Sequence, residues 1–248
     1  MCIRFCFTTV PFFVFALSVF SPSAFASTTG DVGSAKVVKG KSEMVVRFGY
    51  SEADEDSSDD ERLRMRVHFD HGFTEHYAAR VIVAGDRRKK DSLEYEGVTL
   101  ENRFYVLKAE DHGFDLGVRA SYNHKDGDKK PSAVSFGLYE LFPADPYEFR
   151  ANQIFEHDIG EDAEDGVSAE LRLQVSRKIN DTHKIALESF HDFGNLSEQS
   201  GYSAQSHTIG PVIKGEMFGK YKYEVGYRAG ISKDAPDHSL KFFISREF

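Results

Sequence analysis

The sequence predicts an all-β fold: one antiparallel, up-and-down β-barrel of about twelve strands that crosses a membrane. Three observations predict it. Apolar and polar residues alternate with a period of two along nearly the whole chain after residue 43, as a strand with one greasy and one wet face requires. Gly, Pro, Asn and Asp punctuate these stretches at regular intervals, where tight turns need them. The chain also finishes on Phe248, itself the last residue of an alternating stretch, whereas soluble domains usually fray at their ends. A sheet in a bilayer cannot leave an unpaired edge, so the final strand must meet the first.

Taken in order, residues 1–26 read as a secretory signal: Arg4, an apolar run over 5–20, and Ala24-Phe25-Ala26 in the small-x-small form. The alternative, an uncleaved anchor, has an apolar run short of the roughly 20 residues a spanning helix needs. Cys2 and Cys6 are the only cysteines and both fall in this stretch, which excludes a disulfide-stapled fold. Residues 27–42 are expected to form a short N-terminal periplasmic segment, and 43–248 the barrel.

Four stretches alternate most clearly. They are Leu63, Met65, Val67 and Phe69; Phe114 through Tyr122; Val167 through Val175; and Tyr221 through Ile231, each taking every second residue. Weaker strands fill 44–50, 77–84, 147–158, 184–193 and 207–217, and 238–248 closes the set. Two segments mix their faces, 93–109 and 134–142, and a bulge is expected in each. The connections alternate in kind. Short ones are Asp70-His71-Gly72, Asp111-His112-Gly113, Pro143-Ala144-Asp145-Pro146, Asn180-Asp181 and Phe218-Gly219. Longer, more charged ones lie at 51–61, 86–91, 125–131, 159–166, 195–203 and 232–237. Short turns on one rim and long loops on the other suit a membrane barrel with both ends on the periplasmic side.

The signal-like start, the absence of cysteine beyond residue 6, the alternation and terminal Phe248 resemble the outer-membrane β-barrel proteins of Gram-negative bacteria, over residues 44–248. That resemblance implies the bacterial outer membrane, contact with its lipids and lipopolysaccharide, and recognition of Phe242, Ile244 and Phe248 by the barrel-assembly machinery. It departs at Arg246, where such barrels usually place an apolar residue. In strand number and size the chain also resembles the small twelve-stranded channels for acidic sugars, without a motif that assigns it to them. A soluble sandwich would bury the same apolar stripe. Gly117, Gly226, Gly230, Ser168 and Asn123 on the polar faces, and Tyr50, Tyr122, Tyr147, Tyr221 and Phe248 near strand ends, favour the bilayer.

Formal net charge is −9; removal of residues 1–26 takes one arginine and no acid. An acidic surface makes nucleic acid an unfavourable partner. Arg62, Arg64, Arg66 and His68 share the inward parity, about 7 Å apart, with Arg47 and Arg80 on neighbouring strands and Arg119 and Arg172 farther round. Such a lining attracts anions, and the expected function is a narrow, weakly anion-preferring pore for small polar or anionic solutes. Against it stand inward carboxylates, Asp115, Glu148, Glu156, Glu170, Glu188, Glu216, Glu224 and Glu247, which with their basic neighbours would form a plugged, structural or surface-interaction barrel. A third reading, lower in rank, is an outer-membrane lipid hydrolase using Ser189, His191 and His207, which share the outward parity on adjacent strands. No catalytic residue, cofactor or metal site is assigned. The acidic loops at 51–61 and 158–165 offer carboxylates without calcium-loop spacing and are expected to be solvated.

Overall fold

A computed structural model describes residues 28–126, 131–161, 163–198 and 201–248; the expected signal over 1–26 lies outside them. Twelve strands follow in order: β1 (Ser42–Glu52), β2 (Arg62–Gly72), β3 (Tyr77–Arg87), β4 (Glu94–Leu107), β5 (Asp115–Lys125), β6 (Ser132–Ala144), β7 (Tyr147–Ile159), β8 (Ser168–Lys178), β9 (His183–Asn195), β10 (Ser206–Met217), β11 (Tyr221–Gly230) and β12 (His238–Glu247). Each pairs antiparallel with its neighbours in sequence, and β12 pairs with β1 to close the barrel. The backbone N–H of Phe248 donates to the Ser42 carbonyl at 3.0 Å, fastening the seam at the rim that carries the short turns. One single-turn helix, α1 (Ala109–His112), stands in the β4–β5 turn.

Burial is inverted relative to a soluble protein. Arg62 is 2% exposed and Lys241 3%, while Phe69 is 51% and Leu240 56% exposed. Pairs such as Phe48 with Phe242 and Tyr50 with Leu240 lie side by side on the outside, and Phe104, Phe136, Phe149, Leu187, Ile213 and Val225 continue the exposed apolar surface around the barrel. An aqueous surface of that composition would be strongly unfavourable, whereas acyl chains solvate it; charges inside and greasy side chains outside define a membrane-spanning barrel. No helix among the described residues is long and apolar enough to cross a membrane.

The two ambiguous segments resolve differently. In β4 the register slips against β3 at Gly97 and against β5 near Leu107, so the expected bulge is present. In β6 the pairing is continuous on both sides. The mixed pattern there has another cause: Tyr139 and Leu141 face inward, and the Arg119 guanidinium lies 3.6 Å from the Tyr139 ring centroid. An apolar residue on a lumen face is stable when a cation and packed neighbours cover it. Arg246, the departure from pattern in β12, sits over the rings of Tyr221 and Phe248, 5.8 and 5.5 Å from their centroids, which accounts for a cation on the outer face at the rim.

Candidate functional site

The segment before β1 does not hang below the barrel. From Ser42 the chain leads back up through the lumen, so that residues 28–38 form a strap among the inward side chains. Small residues make this possible. A Cβ on Gly117 would lie 2.7 Å from the Ala35 carbonyl oxygen, and one on Gly49 would lie 2.8 Å from the Thr28 Cβ, so a side chain at either position would have to displace the strap.

Guanidinium groups from five strands hold the strap by its carbonyls. Arg47 of β1 donates to Thr29 at 3.3 Å, Arg228 of β11 to Gly30 at 2.5 Å and Arg172 of β8 to Asp31 at 3.1 Å. Arg150 of β7 donates to Val32 at 3.2 Å and Arg119 of β5 to Ser34 at 3.0 Å. Asn152 adds a reciprocal pair, accepting from the Gly33 N–H at 2.6 Å and donating to the Gly33 carbonyl at 3.1 Å. A strap without its own ladder partners would otherwise leave buried peptide groups unsatisfied, at a cost of about 1–3 kcal/mol each.

Two side chains of the strap make ion pairs. Lys36 reaches Asp115 at 3.2 Å, and Asp31 receives Arg47 at 2.6 Å. Burial alone would push the Asp31 carboxyl up, but Arg47 beside it, together with Arg80 and Arg119, outweighs that and holds it well below the usual carboxylate range.

The strap divides the lumen. On the side of the long loops lies a cavity of about 180 Å³ lined by Arg64, Arg66, His68, Glu96 and Lys125 among others. On the side of the short turns lies one of about 580 Å³, where Lys41, Arg103, Arg150, Lys184 and Lys222 contribute. Asp31, Arg47, Arg80 and Arg119 line both, which places the partition at their level.

The eight expected lining residues all face the lumen, in different states. Arg62 is tied up: Nε and Nη2 each donate to Asp86 at 2.7 Å, and Nη1 donates to Asp59 at 2.7 Å. Asp59 thereby draws the acidic 51–61 loop down onto the barrel, so this part of it is buried instead of solvated. Arg80 is held by Asp70 at 2.6 Å and faces Glu101 at 3.5 Å. Arg172 pairs with Glu170 at 2.6 Å, and Arg119 faces Glu101 at 3.6 Å. Arg64 has its nearest acids, Asp59 and Asp86, at 3.8 and 3.9 Å. Arg66 has no hydrogen bond or ion pair among the described residues, and neither ring nitrogen of the buried His68 has a hydrogen-bond partner. The part of the expected track without a close partner is therefore Arg66 and His68, beside Arg64 with its two long ion pairs, on one strand and facing one cavity.

Sequence reasoning missed the network on the opposite wall. Lys241 donates to Glu188 at 2.5 Å and also to Glu224, while Lys214 reaches Glu188 at 3.0 Å, Glu224 at 3.1 Å and Gln174 at 2.6 Å. These groups were legible as inward charges, but their sharing of partners depends on barrel curvature. Phe242 and Ile244 lie on the outer face of the closing strand, and Phe248 follows its last residue, 72% exposed. Ser189, His191 and His207 also come together, on the outer surface. No group of three or more His, Cys, Asp or Glu residues suited to a metal ion occurs among the described residues.

This is the architecture of a membrane-spanning β-barrel: a closed twelve-stranded sheet with an apolar belt, a charged lumen and both barrel ends on the short-turn rim. Solved structures agree at the level of fold. The chain is similar to an outer membrane channel from Pseudomonas putida F1, with a TM-score of 0.66 at 11% identity over 88% of this chain and 100% of that one. It is similar also to the KdgM porin, with a TM-score of 0.58 at 9% identity over 83% of this chain and 99% of the other. No protein-family model matches the sequence, and comparison with curated proteins finds no match.

Proposed function

We propose that the chain forms a narrow, weakly anion-preferring pore for small polar solutes in the bacterial outer membrane, entered from outside past Arg64, Arg66 and His68. The observation that carries this reading is Arg66 and His68 on β2, which face a cavity without hydrogen-bond partners among the described residues, beside Arg64 with only long ion pairs, in a lumen whose other charges are largely paired. A cationic wall raises the local concentration of anions and lowers their entry barrier. The basic vestibule on the other side of the strap extends the same preference. An acidic sugar fits this chemistry, and one similar structure is the KdgM porin in complex with a disordered oligogalacturonate. Lipopolysaccharide around the outer rim and the assembly machinery at Phe242, Ile244 and Phe248 complete the expected partners.

The experiment is a reversal-potential measurement in a planar bilayer under a salt gradient. Replacing Arg62, Arg64 and Arg66 by serine is expected to shift selectivity toward cations, with Arg66→Ser alone giving much of the change and Arg62→Ser little. An unchanged reversal potential in the triple variant would remove the track from the account.

The strap itself supports a second reading, a plugged barrel that conducts nothing as folded. Under that reading the full chain shows no resolvable conductance, and only a variant lacking residues 28–38 conducts.

A further inference from the structure

On the outside of the barrel, near the rim of the long loops, four polar side chains form a chain of hydrogen bonds in a surface that is otherwise greasy. Ser189 and His191 are two residues apart on β9 and therefore point the same way, and His207 stands directly opposite His191 in β10. Around them the outward positions are Ile185, Leu187, Ile209, Pro211 and Ile213. The Ser189 hydroxyl lies 3.1 Å from His191 Nε2, His191 Nδ1 lies 3.2 Å from His207 Nδ1, and His207 Nε2 lies 3.1 Å from the Gln205 side-chain oxygen.

Proton placement follows from the far end. The Gln205 oxygen can only accept, so the neutral His207 carries its proton on Nε2 and presents Nδ1 as an acceptor. His191 must then carry its own proton on Nδ1, which leaves its Nε2 lone pair to accept from the Ser189 hydroxyl. Every link points in one direction, from serine to base to a second ring that orients the base and shares its charge. Packing holds the second ring: Tyr202 stacks on His207 at 4.5 Å and the edge of Phe193 meets it at 5.9 Å. Tyr202 is itself anchored through its hydroxyl to the Ile231 carbonyl at 3.0 Å. The β8–β9 register slips between Asp192 and Gly194, a bulge at Phe193, two residues beyond His191, of the kind that re-aims side chains beside functional sites.

We infer that Ser189, His191 and His207 form a nucleophilic site for acyl esters of the surrounding lipid, with Gln205 as a positioning residue. The inference is independent of conduction, because these groups face away from the lumen. They lie a few residues inside the long-loop end of β9 and β10, toward the interface where a bilayer carries its ester linkages. In the reaction Ser189 Oγ bonds to the ester carbonyl carbon while its proton passes to His191 Nε2. The carbon–oxygen bond to the lipid alcohol then breaks, and the leaving oxygen takes that proton. Water attacks the acyl-serine, gives a proton to His191, and the fatty acid departs as Ser189 regains its hydrogen.

The test uses the full barrel reconstituted in phosphatidylethanolamine–phosphatidylglycerol vesicles, with folding verified by its resistance to SDS without heating. Two readouts are taken: release of free fatty acid, and the mass increment left by a fluorophosphonate probe. The expected result is release together with probe attachment at Ser189. Both vanish in Ser189→Ala and His191→Ala, release falls ten-fold or more in His207→Ala, and a smaller loss in Gln205→Ala moves the pH profile. Single-channel conductance stays unchanged in Ser189→Ala. A folded barrel that neither releases fatty acid nor takes the probe overturns the inference, as does release that survives Ser189→Ala.

Discussion

Two parts of the lumen are built from similar charges and do different work. On the wall from β8 to β12, Gln174, Glu188, Lys214, Glu224 and Lys241 bond to one another. Every partner belongs to a strand, so none can leave while the barrel stands. Around the strap, Arg47, Arg119, Arg150, Arg172 and Arg228 spend hydrogen bonds on backbone carbonyls of residues 29–34. Here the partner is a peptide that belongs to no strand and joins the barrel at Ser42. Side-chain pairs across strands stiffen the wall; arginines on a strap create a partition whose carbonyl contacts compete with solute anions for the same guanidinium groups.

Removing the strap has the largest expected effect. Deleting residues 28–38 joins the two cavities and removes the carbonyls that five guanidinium groups bond, and single-channel conductance is expected to rise several-fold with stronger anion preference. If the partition lies elsewhere, conductance will stay at its starting value. The network should respond in the opposite sense. Glu188→Gln leaves buried Lys241 with Glu224 alone, which should lower stability by roughly 3 kcal/mol with little effect on conductance. Urea unfolding in lipid vesicles measures the first and bilayer recording the second.

Smaller effects sharpen the contrast. Gly117→Val places carbon where the Ala35 carbonyl sits, 2.7 Å from the new Cβ, and should loosen the strap for a conductance gain below that of the deletion. The Asp31 contact has a defined pH dependence. Its carboxyl is held well below the usual range when docked. Docking therefore gains stability that is fully present above the ordinary carboxylate pKa, about 3.9, and is lost only as pH falls through the lower docked value. Conductance should thus show no Asp31-dependent step between pH 8 and 5, and the same titration on Asp31→Asn checks this. A step in that window that disappears in the variant would contradict the assignment.

Much of the barrel was legible in the sequence because a two-residue period survives any environment that separates two faces. Leu63, Met65, Val67 and Phe69 against Arg62, Arg64, Arg66 and His68 state the strand and both its faces at once. The β4 bulge showed as a slipped period near Gly97. The mixed face of β6 was misread because Tyr139 and Leu141 are lumen residues shielded by Arg119, a pairing that only the curved barrel brings together. The strap left little trace. Residues 28–41 contain small residues and no periodicity, as a solvent-exposed linker would, and its ligands lie up to 198 positions away. A hint was present on the receiving side, where inward glycines at 49 and 117 leave room. The parity of Ser189, His191 and His207 was readable, but their mutual distances and the link to Gln205 were not.

The strap sits within the lumen and narrows it at mid-height. A paired-cysteine tether tests this most directly, since residues 27–248 contain no other cysteine. In Thr28→Cys with Gly49→Cys, the β-carbons start about as close as 2.8 Å, and a shift of the strap end brings them to the roughly 3.5–4.5 Å of a disulfide. The account predicts spontaneous cross-linking in the folded barrel, low conductance while oxidised, and a reversible rise on reduction. Cysteines that fail to cross-link, or a conductance indifferent to the bond, would contradict it.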